Sequence, residues 1–404
     1  MSVPSNKNYF LKDVIHGEIV FKQPWIAELL KCHEMTRLIR IKQLGLTYRL
    51  FPNAIHNRFV HSLGVYAIVN MVVDQLHNIF TKNEINELSA AALLHDIGHG
   101  PHSHAWENYT NIKHEKYSKA IILDNNTDVN KVLHKYKINT KRIVDILDHK
   151  HPNKLLNSLI SSQIDVDRLD YLTRDSHFTG ACYGNVDVSM LIKWLLVVKN
   201  KICFHLKAVS SIENFLMARY HMYEQIYDQP KTVAMQLLIQ KMLSRFKYLW
   251  QTNKIKIVNQ NKMANYFLPW LSNQDFSICQ YLKIDDLKFE LFIDQMQYEH
   301  DLYIQEAFKL YSTFINSDYK IISYSDESYN KLIKKFISKT KFPELYIHKC
   351  EINNKEIYQI NKQPIWIYND LNKKIMPLSL CSMLVKKICG ISKLMKVIVV
   401  NKIK

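Results

Sequence analysis

The sequence predicts a mainly α-helical protein with a smaller region of mixed α and β structure at its C-terminal end. Apolar residues recur at helical spacing from residue 25 to about residue 250, which is typical of helices that bury one face. Short runs of β-branched and aromatic residues begin only after about residue 290. Seven of the eight glycines lie in the first 184 residues, so the backbone needs unusual geometry mainly in the helical part.

Three stretches carry the helical pattern most clearly. They are Trp25–Leu30, Val65–Leu76 and Leu88–Leu93. Four short runs in the C-terminal region predict strands. They are Leu345–Ile347, Glu356–Ile360, Ile365–Tyr368 and Val397–Val400. No repeat, proline-rich linker or low-complexity tract separates the two parts, so we place the division into residues 1–250 and 251–404 on a soft boundary between 250 and 290.

The composition indicates a folded protein without a membrane span. The chain has 404 residues and 47% hydrophobic content, enough to bury one large core or two moderate ones. It holds no stretch of about 18 uncharged apolar residues, and its first residues lack the apolar segment of a signal peptide. The seven cysteines are scattered and never spaced as CxxC, which favours reduced thiols. We therefore expect a cytoplasmic protein.

The net charge of +17 results from 54 Lys and Arg against 37 Asp and Glu. Such an excess attracts any polyanion, whether nucleotide, nucleic acid or membrane surface, and does not choose among them. Much of it is lysine dispersed among Asn and Ile, as in Asn253–Lys262 and Lys331–Lys341. This pattern favours a compositional bias and a solvated surface over a dedicated binding stripe.

A His-Asp pair follows an apolar helical run. Ala90–Leu94 leads into His95 and Asp96, and Gly98 and Pro101 then stop the helix. Neighbouring helix positions point about 100° apart, so His95 and Asp96 can meet one ion only if it lies off the helix flank between them. Further ligands must come from elsewhere in the chain.

Two other segments offer such ligands. His61 begins a predicted amphipathic helix and has Arg58 three residues earlier on the same face, which pairs a metal ligand with a phosphate-binding guanidinium. Asp167 lies on a helical face with Tyr171 and Asp175 that is too polar for an ordinary core. Two imidazoles and two carboxylates suit Fe, Mn, Zn, Ni or Mg and leave positions for water and phosphate oxygen. The donor set does not choose among these metals.

Five motifs in one order are specific to a known family. They are Lys12–Gly17, Arg40–Gly45, His56–Val65, His95–Pro101 and Asp165–Tyr171. Together they resemble the HD-domain deoxynucleoside triphosphate triphosphohydrolases, the family of bacterial dNTPases and of the catalytic core of the vertebrate sterile-alpha-motif and HD-domain protein. The resemblance spans roughly residues 10 to 235. It implies that the helical part, residues 1–250, is an HD-domain phosphohydrolase core. The remaining residues, 251–404, are expected from their own pattern to form a helical extension and an α+β region, and from about residue 290 they have no match to this family.

The resemblance also implies a role for each matched position. The metal ligands would be His61, His95, Asp96 and Asp167. The triphosphate would meet Arg58, His99, Arg168 and Arg219, with Tyr171 in the same substrate pocket. The sugar 3′-hydroxyl would meet Gln43 and Asp175, while Leu44 and Tyr227 would exclude a ribose 2′-hydroxyl. The catalytic group would comprise His99, His104, His114 and Glu107. Imidazole can donate a proton to a departing oxygen, and a carboxylate can orient it.

The implied reaction converts a dNTP and water into a deoxynucleoside and inorganic triphosphate with the help of a divalent metal ion. The family also implies a homo-oligomer. One departure concerns regulation. Where the vertebrate member uses an Asp, a Gln and an Arg to bind an activating guanine nucleotide, this chain has Lys31, Thr36 and Ile39. We therefore do not expect guanine-nucleotide activation of that form.

Two alternative functions stay open on the sequence alone. The first is an HD phosphohydrolase that acts on another ester, such as a nucleoside monophosphate, a cyclic dinucleotide or a guanosine polyphosphate. The second is a nucleotide sensor or a protein that binds nucleic acid weakly through its basic surface. The pocket residues Gln43, Tyr171, Asp175 and Tyr227 argue against the first, and a full set of metal ligands and catalytic histidines argues against the second.

Overall fold

Helices account for most of the chain, as the apolar periodicity predicts. The computed structural model describes residues 9–254, 262–314, 318–354, 357–359, 363–390 and 393–401. Within residues 24–251 the helices are α1 Pro24–Leu29, α2 His33–Arg37, α3 Arg58–Gln75, α4 Lys82–Leu94, α5 His104–Thr110, α6 His114–Leu123, α7 Asp128–Lys135, α8 Thr140–Leu147, α9 Lys154–Ile160, α10 Val166–Thr179, α11 Val188–Lys193, α12 Val209–Met222 and α13 Pro230–Gln251. The later helices are α14 Leu268–Leu271, α15 Ile278–Tyr281, α16 Asp286–Gln295, α17 Leu302–Thr313, α18 Asp326–Ile337 and α19 Met383–Ile388.

Strands form small sheets around this helical body. They are β1 Phe10–Asp13, β2 Gly17–Val20, β3 Leu195–Val198, β4 Lys201–His205, β5 Tyr319–Ser323, β6 Ile347–Asn354, β7 Trp366–Asn369, β8 Lys374–Pro377 and β9 Lys393–Asn401. β1 and β2 pair as a hairpin, β5-β9-β6 is an antiparallel sheet, and β3-β4-β7-β8 is a second sheet. In that second sheet β4 and β7 pair in parallel, which joins the helical part to the C-terminal region.

These elements confirm the fold class and most of the predicted strands. Strands β6, β7 and β9 overlap three of the four predicted runs, although Leu345 lies in a 3₁₀ turn and β6 begins only at Ile347. The prediction for 356–360 is wrong where it can be judged, because residues 357–359 form no strand. Glu356 and Ile360 lie outside the described residues.

Helix α3 is the centre of the helical part. It is buried on almost every side rather than on one face, so the expectation of an amphipathic helix beginning at His61 is wrong. Gly64 lets α3 lie directly against α10, because a Cβ added at Gly64 would stand 1.9 Å from Oδ1 of Asp170 and 2.4 Å from Arg174. This close contact brings the first turns of α3 and α10 together.

Two apolar clusters hold the molecule together, and both draw on distant parts of the chain. The first is built mainly from residues 19–226 and also contains Ile367 and Leu378. The second is built on α13, α16, α17 and the β5-β9-β6 sheet and also contains Leu46 and Trp106. The division of the chain at residue 250 stays a prediction.

Two expectations about the chain's chemistry can be compared with the structure. All seven cysteines are free. Among the helices of the described residues, none combines the length and the apolarity that crossing a bilayer requires.

Candidate metal centre and active site

Three helix ends carry the predicted metal ligands. His61 lies in the first turn of α3, where the Asn57 side chain caps the helix by accepting the Val60 N–H at 3.2 Å. Helix α4 ends at Leu94, so His95 is its C-cap and Asp96 follows the helix. Helix ends suit this purpose because a side chain there can turn away from the helix flank.

Asp167 reaches the same point from the first turn of α10. Asp165 caps this helix by accepting the Arg168 N–H at 2.8 Å. The Nε2 atoms of His61 and His95 lie 3.3 Å apart, and Oδ1 of Asp167 lies 3.0 and 3.7 Å from them. Oδ2 of Asp96 lies 3.6 and 3.4 Å from the same two nitrogens. Four donor atoms from three helix ends thus converge.

Both imidazoles have a fixed orientation. Nδ1 of His61 lies 2.7 Å from Oδ2 of Asp170, and Nδ1 of His95 lies 2.9 Å from the carbonyl oxygen of Ala92. Because these acceptors take a proton from Nδ1, Nε2 is the atom of each ring that is left to bind a metal ion at the convergence point. Two imidazole nitrogens and two carboxylates are a donor set that fits a divalent metal ion.

Asp170 is the most important site residue that the predictions missed. Its carboxylate is fully buried and also contacts His16 at 2.7 Å and Arg174 at 2.9 Å. Arg174 in turn donates to Asp13 at 2.8 Å. The motifs Lys12–Gly17 and Asp165–Tyr171 contained Asp13, His16 and Asp170, but the pairing of two distant segments cannot be read from their spacing.

Charge and burial set the protonation of the ligands. Burial alone would lower the pKa of His61, but hydrogen bonds to Asp167 and Asp170 raise it to about 10. Burial alone would raise the pKa of Asp167, but hydrogen bonds to His61 and His95 hold it below its usual range. The carboxylate is therefore ionised at neutral pH, and a metal ion competes with a proton for His61.

The predicted catalytic residues form a second cluster beside the first. The ligand atoms of His99, His104, Glu107 and His114 lie within 4.8 Å of one another. The His99 ring stacks on His114 with centroids 3.7 Å apart, and His114 is hydrogen-bonded to Glu107 through Nδ1. Nε2 of His99 lies 3.3 Å from Oδ1 of Asp96, so Asp96 touches both clusters.

The members of this second cluster differ in charge and access. Burial, with the nearby charges of Arg58 and His114, holds the pKa of His99 well below its usual range, so the ring is neutral at pH 7. Burial alone would raise the pKa of Glu107, but hydrogen bonds from its two histidine neighbours and Lys113 lower it below the usual range. The His104 side chain is 72% exposed and lies 3.5 Å from Glu107. An exposed imidazole therefore stands beside an ionised carboxylate.

Arg58 joins the two clusters. Its guanidinium is buried, forms an ion pair with Asp96 and donates from Nε to Oγ of Ser103 at 2.8 Å. Arg58 thus holds the second carboxylate of the site in place while it brings a positive charge to the same point.

The predicted sugar contacts centre on Asp175. Oδ1 of Asp175 lies 2.7 Å from Nε2 of His56, and Oδ2 accepts a hydrogen bond from the Tyr227 hydroxyl at 2.8 Å. The rings of Tyr227 and Tyr171 lie edge to face with centroids 6.1 Å apart. His56 is a second residue that the predictions missed, although it opens the motif His56–Val65.

The turn that carries Gln43 and Leu44 lies next to His56. The Gln43 N–H donates to the His56 carbonyl at 2.9 Å, and Leu44 packs against the first apolar cluster. Oε1 of Gln43 is buried, and within the described residues it has no hydrogen-bond partner. A buried acceptor of this kind suits an O–H donor from a ligand.

The other two arginines that were predicted to meet the triphosphate contact residues outside the two clusters. Arg168 donates to the Ser162 carbonyl at 2.6 Å and pairs with Asp165, while the Arg219 guanidinium lies 5.9 Å from the centre of the Tyr223 ring. Burial and the neighbouring Tyr223 raise the pKa of Tyr171 well above its usual range, with both arginines opposing this shift. Arg168 and Arg219 thus lie on the side of the site where Tyr171 stands.

The comparisons with known proteins agree with this geometry. The HD domain family matches residues 58–175. An uncharacterized protein from Mycoplasma pneumoniae is 33% identical over 405 residues, which cover 94% of each chain. A deoxynucleoside triphosphate triphosphohydrolase SAMHD1 homolog from Dictyostelium discoideum is 29% identical over 57% of this chain and 48% of its own length. A solved phosphohydrolase from Bacteroides thetaiotaomicron has a TM-score of 0.84 at 25% identity and covers 98% of this chain and 100% of its own.

The fold and these matches define a class of hydrolase, and the four converging side chains are consistent with it. The chain belongs to the HD-domain phosphohydrolase family, whose members bind divalent metal ions. The resemblance to the deoxynucleoside triphosphate triphosphohydrolases is confirmed at moderate identity over about half of the chain. That match also spans only about half of the relative's own length.

Proposed function

We propose that the protein is a metal-dependent dNTP triphosphohydrolase that converts a dNTP and water into a deoxynucleoside and inorganic triphosphate. One observation carries the proposal. The four donor atoms around His61 adjoin the cluster of His99, His104, Glu107 and His114, and Asp96 touches both. Sites for a metal ion and for proton transfer therefore lie side by side, as hydrolysis of a phosphate ester requires.

The metal site would be formed by His61, His95, Asp96 and Asp167. A divalent ion bound there, whether Fe, Mn, Mg, Zn or Ni, would polarise a phosphate oxygen and lower the pKa of water. Arg58 holds the Asp96 carboxylate, and its positive charge complements the phosphate that reaches this point. The neutral ring of His99 lies beside it and can contact the same phosphate without adding charge.

Proton transfer would fall to the exposed end of the second cluster. Attack of water on the α-phosphorus breaks the bond from phosphorus to the 5′-oxygen, and this oxygen then needs a proton. His104 is solvent-accessible, and its Nδ1 lies 3.5 Å from the ionised Glu107. We assign the proton donation to His104, with Glu107 and His114 holding it in orientation. The released triphosphate would be met by Arg168 and Arg219 beside Tyr171.

The sugar would lie toward Asp175. Its 3′-hydroxyl can donate to Oε1 of Gln43, the buried acceptor without a partner, and approach Asp175. The Tyr227 hydroxyl already donates to Asp175, and Leu44 offers only apolar atoms. A ribose 2′-hydroxyl would lose its bonds to water without regaining them, so deoxyribose is favoured.

Product analysis tests this proposal directly. The purified protein is incubated with each of the four dNTPs, singly and mixed, in the presence of Mn, Mg or Fe, and products are resolved by ion-exchange chromatography. We expect a deoxynucleoside and inorganic triphosphate, and faster turnover of dGTP than of GTP. Release of phosphate or pyrophosphate instead would assign the site to another phosphate ester. The absence of any product under every mixture would overturn the proposal in favour of a nucleotide sensor.

A further inference from the structure

Three residues beyond the HD-domain match contact the loop that leads to His104, here called the catalytic loop. We infer that Tyr281, Asp286 and Glu290, here called the loop clamp, are positioning residues for the segment Gly98–His104. The inference deepens the proposed function and rests on it for its activity readout. Tyr281 is the last residue of α15, and Asp286 and Glu290 lie in α16, more than 100 residues beyond the match at residues 58–175. Its side chains nevertheless reach the backbone beside His99 and His104.

The loop before His104 is strained. His102 and Ser103 both have positive backbone angles, φ 57° and φ 58°, in the left-handed region that non-glycine residues rarely adopt. A residue in this conformation persists only where its surroundings fix it. Ser103 directly precedes α5, whose first residue is His104. The strained pair therefore sets the direction from which His104 enters the site.

Asp286 holds this loop and a second one together. Its buried carboxylate accepts the His102 N–H at 2.8 Å through Oδ1 and the Lys42 N–H at 2.9 Å through Oδ2. Lys42 directly precedes Gln43 and Leu44, the residues proposed to meet the sugar. One carboxylate thus fixes the backbone of both the loop before His104 and the turn before Gln43.

The two loops are also in direct contact. Oγ of Ser103 donates to the Lys42 carbonyl at 2.7 Å. Gly45 has φ +51°, and a Cβ added there would lie 2.6 Å from the His102 carbonyl oxygen. The two loops therefore leave no room for a side chain between them at Gly45.

The other two members of the clamp, Tyr281 and Glu290, contact the same two loops at other positions. The Tyr281 hydroxyl donates to the Gly98 carbonyl at 2.8 Å. Oε1 of Glu290 lies 3.3 Å from Nζ of Lys42 and 3.7 Å from Nε2 of His102. These bonds end on the backbone and side chains of the two loops rather than in an apolar cluster, which is the arrangement expected of positioning residues.

Asp286→Asn tests the inference, with Asp285→Asn as its matched control. An Asn has one acceptor oxygen, so it can serve only one of the two N–H groups that Asp286 accepts. Asp285 has the same charge, caps α16 and pairs with Arg40 at 2.6 Å, but its bonds do not reach the catalytic loop. We expect Asp286→Asn to lower kcat about tenfold or more with its metal content unchanged. The control variant should retain kcat.

Tyr281→Phe supplies a second test that does not depend on a buried charge. Its control is Tyr117→Phe, since the Tyr117 ring stacks on Tyr281 at 3.7 Å but its hydroxyl donates to the Phe276 carbonyl instead. Amide hydrogen exchange across residues 96–106 is measured for all four variants. We expect faster exchange in the two clamp variants and unchanged exchange in the two controls.

Two failures can be told apart in these experiments. If the wild-type protein hydrolyses no dNTP, the proposed function fails, while the exchange measurement still decides whether the clamp holds the loop. If the wild type is active and each clamp variant matches its control in kcat and in exchange, the clamp residues have no positioning role. Loss of metal from Asp286→Asn together with kcat would also overturn the inference.

Discussion

His61 and His95 can present Nε2 to one point because each ring is tied at its other nitrogen. The acceptor for His95 is a backbone carbonyl, and the acceptor for His61 is the Asp170 carboxylate. A carboxylate behind a ligand histidine fixes the tautomer and raises the basicity of the ring. The affinity of the proposed metal site should therefore depend on Asp170, which is not itself one of the proposed ligands.

Asp170→Asn tests this dependence. We expect metal affinity to fall about 10- to 100-fold, because the amide keeps the volume of the carboxylate but loses its charge. Affinity is measured by titrating Mn into metal-free protein. Asp13→Asn is the control, since Asp13 pairs with the same Arg174 but not with His61. Equal affinity in the two variants would show that Asp170 serves only to bind Arg174.

Mutations should distinguish a residue that binds the metal ion from the residue that donates the proton. We expect Asp167→Ala to lose metal and dNTP hydrolysis together, because it removes a donor 3.0 Å from Nε2 of His61. His104→Ala should keep its metal and turn over about 100-fold or more slowly, the usual contribution of a general acid. Metal analysis and initial rates are compared with those of His77→Ala, an exposed histidine on the loop after α3. Unchanged turnover in His104→Ala would remove His104 from the catalytic group.

The sequence was sufficient to group side chains that stand in motifs shared with a known family. The predicted metal ligands and the histidine cluster lie in such motifs, and the structure places them within a few ångströms of one another. His56 and Asp170 were not assigned roles, because their partners lie 119 and 109 positions away along the chain. Side-chain pairing over such separations depends on how helices pack, which periodicity does not specify.

Helix ends explain why three elements suffice to build the metal site. Helices α3 and α10 begin at it and α4 ends at it, with Asn57 and Asp165 as the side-chain caps. The apolar run of α4 and its glycine-proline stop were enough to predict its end near His95. The positive φ angles of His102 and Ser103 could not be predicted, because such angles are uncommon in any residue other than glycine. We infer that these angles are maintained by α16, a helix whose apolar residues pack in the second apolar cluster.

The free energy of unfolding should depend on pH through Glu290, which lies on α16. Burial alone would raise the pKa of Glu290, but bonding to His102 and Lys42 lowers it to about 2, below the value of 4.5 for a free side chain. A lowered pKa in the folded state contributes stability above pH 4.5, and this contribution is lost as the pH falls toward 2. We therefore expect the difference in unfolding free energy between wild type and Glu290→Gln to narrow by about 1–2 kcal/mol between pH 6 and pH 3.

Urea denaturation at several pH values measures this difference. The control is Glu327→Gln on the exposed face of α18, where we expect little change in unfolding free energy across the same range. A difference for Glu290→Gln that stays constant from pH 6 to pH 3 would show that the carboxylate is not held by His102 and Lys42.

At the scale of the whole molecule, the two apolar clusters are interleaved along the chain. Ile367 and Leu378 come from the C-terminal region but pack in the first cluster, while Leu46 and Trp106 come from the helical part and pack in the second. Strands β4 and β7 pair in parallel across the same junction. Local patterns indicated one helical and one mixed region correctly, but they carry no information about contacts between residues more than 150 positions apart.

Because each apolar cluster contains residues from both parts of the chain, we expect the two clusters to unfold as one cooperative unit. Native-state hydrogen exchange in low urea compares peptides from α3, in the first cluster, with peptides from α13, in the second. We expect the most protected amides of both helices to share one opening free energy. Saturating Mn should raise the opening free energies measured in α3 and in α13 by the same amount. An ion that binds only the native state stabilises every part of the molecule that unfolds together with the ion's site. A rise confined to α3, or two distinct opening free energies, would mean that the clusters are independent and that α16 can leave the catalytic loop without global unfolding.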